Sequence, residues 1–172
     1  LGLLNLEGQV FPQDLNRAAE LFKQAADAGN PQAQYALATF YKEGRGGLPK
    51  DPVQTARLLR LAALADNLDA QVEYAIALFN GTGTPKDEAG AVALLWKASR
   101  RGSPIAQNRL ARVLSTGTGA PKDMVEGIKW HLIAKSGGNS DLMLDEMLAN
   151  MPAADRTKAE EAAKRWLSGK GK

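Results

Sequence analysis

The segment GTGTPKDEAGA at residues 81–91 is not unique in the chain, and its recurrence constrains the fold more than any other feature. Pro49, Pro85 and Pro121 stand 36 positions apart, and each is followed two residues on by an aspartate: Asp51, Asp87 and Asp123. A weaker copy, EGQVFPQDLNRAA at 7–19, places Pro12 37 positions before Pro49, the extra residue belonging to the longer loop 44–49. Self-similarity at a spacing of roughly 20–50 residues denotes stacked supersecondary units that bury their apolar surfaces against one another.

Taken alone, the glycines, lysine and acid of this segment suggest a phosphate-binding loop. A phosphate loop has no reason to recur in every unit, and the spacing of glycines ahead of a Lys-Ser/Thr pair is missing. A joint explains the same residues better. Gly44, Gly81 and Gly117 follow the last apolar residue of a helical stretch, where glycine can take positive φ and close a helix. Pro49, Pro85 and Pro121 cannot continue that helix and set the exit direction. Asp51, Asp87 and Asp123 then precede the next helical pattern, where a short acid can accept a bond from the first-turn N–H groups.

Each unit contains two apolar patterns of helical period. Ala18, Leu21, Phe22, Ala25 and Ala26 share one face of a predicted helix. Gly29-Asn30-Pro31 breaks it, and Ala33, Ala36, Leu37, Phe40 and Tyr41 give a second. The matching sets are Leu58, Leu59, Ala62, Ala63 with Ala70, Tyr74, Ala75, Leu78, and Ala91, Leu94, Leu95, Ala98 with Ala106, Leu110, Ala111, Leu114. No stretch sustains period-two alternation, so no strands are predicted. The alanines permit close helix approach.

The pattern Ala-x-x-Leu-Phe-x-x-Ala-Ala-x-x-Gly-x-x-x-Ala-Gln-x-x-Leu-Ala-x-x-Tyr-x-x-Gly at 18–44 resembles the Sel-one-like repeat, a relative of the tetratricopeptide repeat. Ala-Gln at 33–34, 70–71 and 106–107 is among its more specific marks. The resemblance implies an all-α fold, a right-handed α/α superhelical solenoid of antiparallel helix hairpins. The expected layout is a single repeat domain over 1–172: the end of a preceding repeat and a joint (1–13), repeats at 14–50, 51–86 and 87–122, a degenerate fourth at 123–151, a capping helix at 152–168 and a tail at 169–172. The fourth unit keeps Asp123, Gly127, Trp130 and Gly138, but Leu142 and Met143 stand where Ala-Gln is expected. Ala159, Ala162, Ala163 and Trp166 form the apolar face of the cap, whose other face is charged, as the end of a solenoid requires.

Little in the chain suggests catalysis, so a non-enzyme is expected. There is no cysteine and one histidine, His131, at a packing position shared with Phe22, Leu59 and Leu95. A lone imidazole is a poor basis for a metal site or a hydrolytic triad, and no cofactor or metal is expected. Cysteine-bearing relatives linked to β-lactams carry a cysteine pair in each repeat, which this chain lacks. The net charge of +3 is too small for a nucleic-acid footprint, even with Arg100, Arg101, Arg109 and Arg112 clustered, so no nucleic acid is expected. No apolar run is long enough to insert in a membrane. The chain starts in mid-pattern, which suggests a piece of something longer.

The resemblance implies a protein-interaction scaffold or adaptor that holds a peptide or protein along the concave surface of the first helices, in bacterial signalling, regulatory or envelope assemblies. It favours a periplasmic or secreted location, with a cytoplasmic one open; a monomer is expected. The groove positions are Asn16, Lys23, Asp27, Arg60, Val92, Trp96, Arg100, Ile128 and Leu132. Their equivalents Ala19, Val53, Ala56 and Leu64 belong to the same expected surface. Trp96, near Arg60 and Arg100, is the expected anchor, with packing beneath the fourth unit or the cap as its alternative. A structural spacer and, more remotely, a hydrolase are the competing readings.

Overall fold

The structure, a computed structural model, describes residues 12–169. The predicted end of a preceding repeat, up to residue 11, and the end of the tail lie outside the described residues. Those described are helical with short joints and contain no strand. In chain order the helices are α1 (Pro12–Asp27), α2 (Pro31–Glu43), α3 (Pro52–Leu64), α4 (Leu68–Asn80), α5 (Glu88–Arg100), α6 (Pro104–Thr116), α7 (Met124–Ser136), α8 (Leu142–Ala149) and α9 (Ala153–Gly169). The chain divides after Asp87 into two compact units.

Each joint both stops one helix and starts another. Gly44, Gly81 and Gly117 close α2, α4 and α6 in the left-handed region, at φ of 69°, 71° and 77°. The backbone N–H of Asp51, Asp87 and Asp123 then donates back to Tyr41, Leu78 and Leu114 at 2.9, 2.8 and 2.8 Å. This bond ties the far end of each joint to the last turn of the helix it leaves. Asp51 and Asp123 also cap α3 and α7 with their side chains, accepting from Gln54 and Glu126 N–H at 3.1 Å each. Pro49, Pro85 and Pro121 lie exposed between these two functions.

Within hairpins the turn is shorter. Asn30, Asn67 and Ser103 cap α2, α4 and α6 by accepting from Ala33, Ala70 and Ala106. Asp66 takes the left-handed conformation (φ 66°) where the other hairpins have glycine. Four residues after each cap lies a buried glutamine. Gln34, Gln71 and Gln107 donate to the carbonyls of Ala26, Ala63 and Ser99 in the last turn of the preceding helix, at 3.3, 3.4 and 3.0 Å. Each bond adds a second donor to a helix-end carbonyl that already accepts from the Gly29, Asp66 or Gly102 N–H, and it pins the second helix to the first.

In the first unit α1, α2, α3 and α4 pack in succession, so α3 has a neighbour on either side. Its core joins Leu37, Leu58 and Leu59 with fully enclosed Ala38, Ala62 and Ala70. In the second unit α6 packs on α5 and α7, and α9 returns against α7. Leu110, Ile128, Trp130 and Ile133 are its largest enclosed apolar side chains.

Candidate partner-binding surface

The expected groove residues sort by their position along each first helix. Asn16, Lys23 and Asp27 of α1 are exposed, as are Val53, Arg60 and Leu64 of α3 and Arg100 of α5. Trp96 and Leu132 are half-buried. Val92 and Ile128 do not line an open surface; they are buried, as are their equivalents Ala19 and Ala56. For Ala56 on α3 and Ile128 on α7 the cause is a packing face widened by contacts with more than one helix. Ala19 on α1 lies against Gly46 of the joint after α2, and Val92 is buried on α5. Leu21 departs in the other direction: it was expected in the core and is exposed.

On α3 the outward face carries Val53, Arg57, Arg60, Leu61 and Leu64, which recur at helical spacing. Val53 and Leu64 are 62% and 71% exposed. Arg57 is oriented by a hydrogen bond from its Nε to Gln54 Oε1 at 2.8 Å. This face therefore combines apolar area and two guanidinium groups with no acid among them. Isolated exposed apolar residues are ordinary, but three on one stripe beside arginine have the composition of an interface.

In the second unit the three tryptophans form a chain of edge-to-face contacts. Trp96 meets Trp130 at 5.9 Å, and Trp130 meets Trp166 of α9 at 5.4 Å between ring centroids. Trp130 is buried; its indole N–H donates to Glu126 at 3.2 Å, and Lys129 lies over its ring. Trp96 thus rests one edge on the hairpin that follows and keeps part of its surface open, with the Arg100 guanidinium 5.9 Å from its ring centre. Leu132 lines a cleft of about 440 Å³ between α7 and α9, beside Glu160, Glu161 and Lys164.

His131 is wholly enclosed, and the partner that the sequence did not reveal is Asp145 of α8, 2.7 Å from Nε2. Lys135 donates to the same carboxylate oxygen at 3.1 Å. The hydrogen bonds from His131 and Lys135 hold the Asp145 carboxyl below its ordinary range. Asp141 is buried at the start of α8. Burial pushes its carboxyl up, but hydrogen bonds from Arg112, Asn108 and the Leu144 N–H outweigh this and lower it. Among the described residues no group of three or more His, Asp or Glu is placed to hold a metal ion, and no helix is long and apolar enough to cross a membrane.

Repeated helical hairpins joined by glycine-capped, proline-turned, aspartate-started corners define an all-α repeat protein. The Sel1 repeat pattern matches residues 1–30, 31–67, 68–103 and 104–139, and the chain belongs to that family. These matches begin half a unit out of step with the predicted repeats, pairing α2 with α3 and α4 with the start of the next unit. Among solved structures, the chain is similar to a Sel1 repeat protein from Oxalobacter formigenes, at 31% identity over 76% of this chain and 96% of that one, with a TM-score of 0.64. It also shares its fold with a protective antigen present in uropathogenic Escherichia coli strains, at 22% identity and a TM-score of 0.59. That match covers 98% of this chain and 44% of the antigen. A search of curated proteins found no match. Sel1 repeat proteins are generally non-catalytic and act as scaffolds for protein interactions.

Proposed function

We propose that this chain is a non-catalytic adaptor that holds an extended or helical segment of a partner protein against its first helices. The observation that carries this reading is the outward face of α3, where Val53, Leu61 and Leu64 stand exposed beside Arg57 and Arg60. Removing that apolar area from water would favour association by roughly 25 cal/mol per Å² before ordering costs. The two arginines select for acidic residues in the segment. Trp96 and Arg100 offer a second aromatic–cationic contact of the kind that dominates interfaces.

Selection of displayed peptides on the wild-type chain and on an Arg60→Glu/Leu64→Asp variant tests this reading. The expected result is enrichment of sequences combining acids with Leu, Ile or Phe, lost in the variant while its helical circular dichroism is unchanged. Trp96→Ala should, separately, weaken peptides that contact the second unit by more than about 1 kcal/mol. Equal enrichment on wild type and the double variant would exclude the α3 face.

A further inference from the structure

The fourth hairpin differs from the others in register. In the first three, a left-handed residue is followed directly by the cap: Gly29-Asn30, Asp66-Asn67 and Gly102-Ser103. In the fourth, Gly138 is left-handed at φ 96°, but Asn139 and Ser140 intervene before the cap, Asp141. The second helix thus starts two residues late and runs for 8 residues where α2, α4 and α6 run for 13. Measured from the cap, the buried alanine of the other hairpins corresponds to Leu144, not Leu142, and the glutamine corresponds to Asp145. Leu142 and Met143 therefore do not replace Ala-Gln; they are pushed outward, Leu142 to 81% exposure.

This shift leaves an open cleft of about 550 Å³ between α6 and α8. Ile105 on α6 and Leu142 and Met143 on α8 supply its apolar walls, and Asn139 and Ser140 line its mouth. Ile105 is itself 54% exposed. The Arg112 guanidinium is neutralised by a two-pronged pair with Asp141, Nη2 to Oδ1 at 3.0 Å and Nε to Oδ2. Arg109 also lines the cleft, and among the described residues no carboxylate pairs with it. Its equivalent six residues past the cap of α4, Glu73, is paired with Lys42 at 3.7 Å. The cleft thus carries two arginines against one aspartate.

We propose that this cleft is a second binding site, distinct from the α3 face, and that it takes a carboxylate-bearing, apolar segment of a partner polypeptide. The unpaired Arg109 guanidinium would take the carboxylate, and an adjoining apolar side chain would enter between Ile105 and Met143. Asn139 and Ser140 are placed at the mouth to bond the segment's backbone. The occupant is a polypeptide because Leu142, though it lines the cleft, is 81% exposed. A small acid lodged inside would leave Leu142 in water, whereas a chain crossing the mouth covers it. Methionine at the wall suits an apolar partner of variable shape.

The test uses N-acetyl-Leu-Asp-Leu-Leu-amide and its Lys-for-Asp counterpart, titrated into the 15N-labelled chain and followed by amide chemical shifts. Saturable shifts are expected at residues 105–112 and 139–143 with the aspartyl peptide, near ~1 mM, a usual strength for so small a contact. Arg109→Glu should weaken them at least tenfold. Leu142→Ser should weaken them less, and Arg60→Glu should leave them unchanged. All three residues are exposed, so folding is not at stake; tryptophan fluorescence verifies it for the variants at 109 and 142, and tyrosine absorbance for Arg60→Glu. Equal response to the lysyl peptide, indifference to Arg109→Glu, or concentration-dependent shifts of the same residues without peptide would overturn the proposal, the last by showing self-association. Loss through Arg60→Glu alone would place this peptide on the α3 face and refute the second site.

Discussion

Replacing Gly83 by alanine examines the reading of the repeated segments as corners of a coil. Gly83 sits in the joint after α4 at φ 72°. A Cβ there would lie 2.0 Å from the Pro52 carbonyl oxygen, 2.3 Å from its carbon and 2.9 Å from the Val53 nitrogen. These are backbone atoms of the first turn of α3, so no side-chain rotation relieves the clash. That turn is also fixed by the Asp51 cap and by the Thr55 hydroxyl, which donates to the Asp51 carbonyl at 2.8 Å. The left-handed conformation costs an alanine about 1–2 kcal/mol, and overpacking against fixed atoms costs about 1–3 kcal/mol more.

Gly29→Ala separates the two terms. Gly29 is also left-handed, at φ 91°, but a Cβ there meets nothing within 4 Å. Both variants share the conformational term and the unfolded-chain effect of removing a glycine. Their difference is the close approach alone, about 2 kcal/mol, or roughly 4–8 °C in Tm at 2–4 °C per kcal/mol for a chain of this length. Tyr35, Tyr41 and Tyr74 all lie in the first unit, while Trp96, Trp130 and Trp166 lie in the second. Tyrosine absorbance therefore reports the unit under test. If Gly83→Ala melts no earlier than Gly29→Ala by that signal, the joint does not pack on α3 and the corner reading fails.

Gln107→Leu should destabilise the second unit by about 1 kcal/mol, because the Ser99 carbonyl loses one of its two donors and keeps only the Gly102 N–H; urea unfolding followed by tryptophan fluorescence measures it. Trp166→Ala should cost about 2 kcal/mol by removing the ring packed on Trp130, and near-ultraviolet circular dichroism should show the loss of the aromatic chain. Asp141 and Asp145 have lowered carboxyl values in the fold, so the unfolded chain takes up protons first as pH falls. The stability they contribute is present above about pH 4–5 and drains away as pH descends toward their folded values. Asp141→Asn/Asp145→Asn should flatten the acid limb of the tryptophan-reported urea midpoint, and an unchanged limb would contradict the assignment. His131→Leu and Asp145→Gln should each destabilise the second unit, yet cost less together than the sum of the two; additive effects would show that the pair is not coupled.

The joints were legible because each uses residue chemistry with few alternatives. A glycine after the last apolar residue, a proline beyond it and an aspartate before the next helix permit little besides a stop, a turn and a start. Hairpin composition was equally open, since the invariant small residues of each pattern are the fully enclosed alanines. The width of the packing face was not. A period of 3.6 locates the centre of a buried stripe but not its edges, and whether Ala56 and Ile128 fall inside it depends on a further neighbouring helix. Trp96 shows the same limit, because its contact with Trp130 lies 34 residues away in sequence. The late start of α8 left one sign, the acid in Asn-Ser-Asp-Leu, which signals a cap. Three apolar residues follow in succession, Leu142, Met143 and Leu144, so the periodicity alone fits either register.

That shift in register also accounts for the one histidine. In the first three hairpins the buried side chain four residues past the cap is an amide, and its N–H₂ meets a carbonyl at the end of the preceding helix. An aspartate in that place has no proton to offer a carbonyl and would leave two oxygens facing one another. Asp145 needs a donor, and α7 supplies it at a position that is phenylalanine or leucine in the other units. A leucine at 131 would leave Asp145 with Lys135 alone; a glutamine at 145 would leave His131 Nε2 without the acceptor it has at 2.7 Å. The histidine and aspartate are therefore one substitution in physical terms, a polar interlock rebuilt with its donor and acceptor exchanged. It lets a short, late helix stay docked with Leu144 as its only fully buried apolar side chain. A docked but abbreviated α8 is the condition for an open cleft beside an unpaired Arg109. A thirteen-residue helix begun on time would keep Leu142 and Met143 out of that wall.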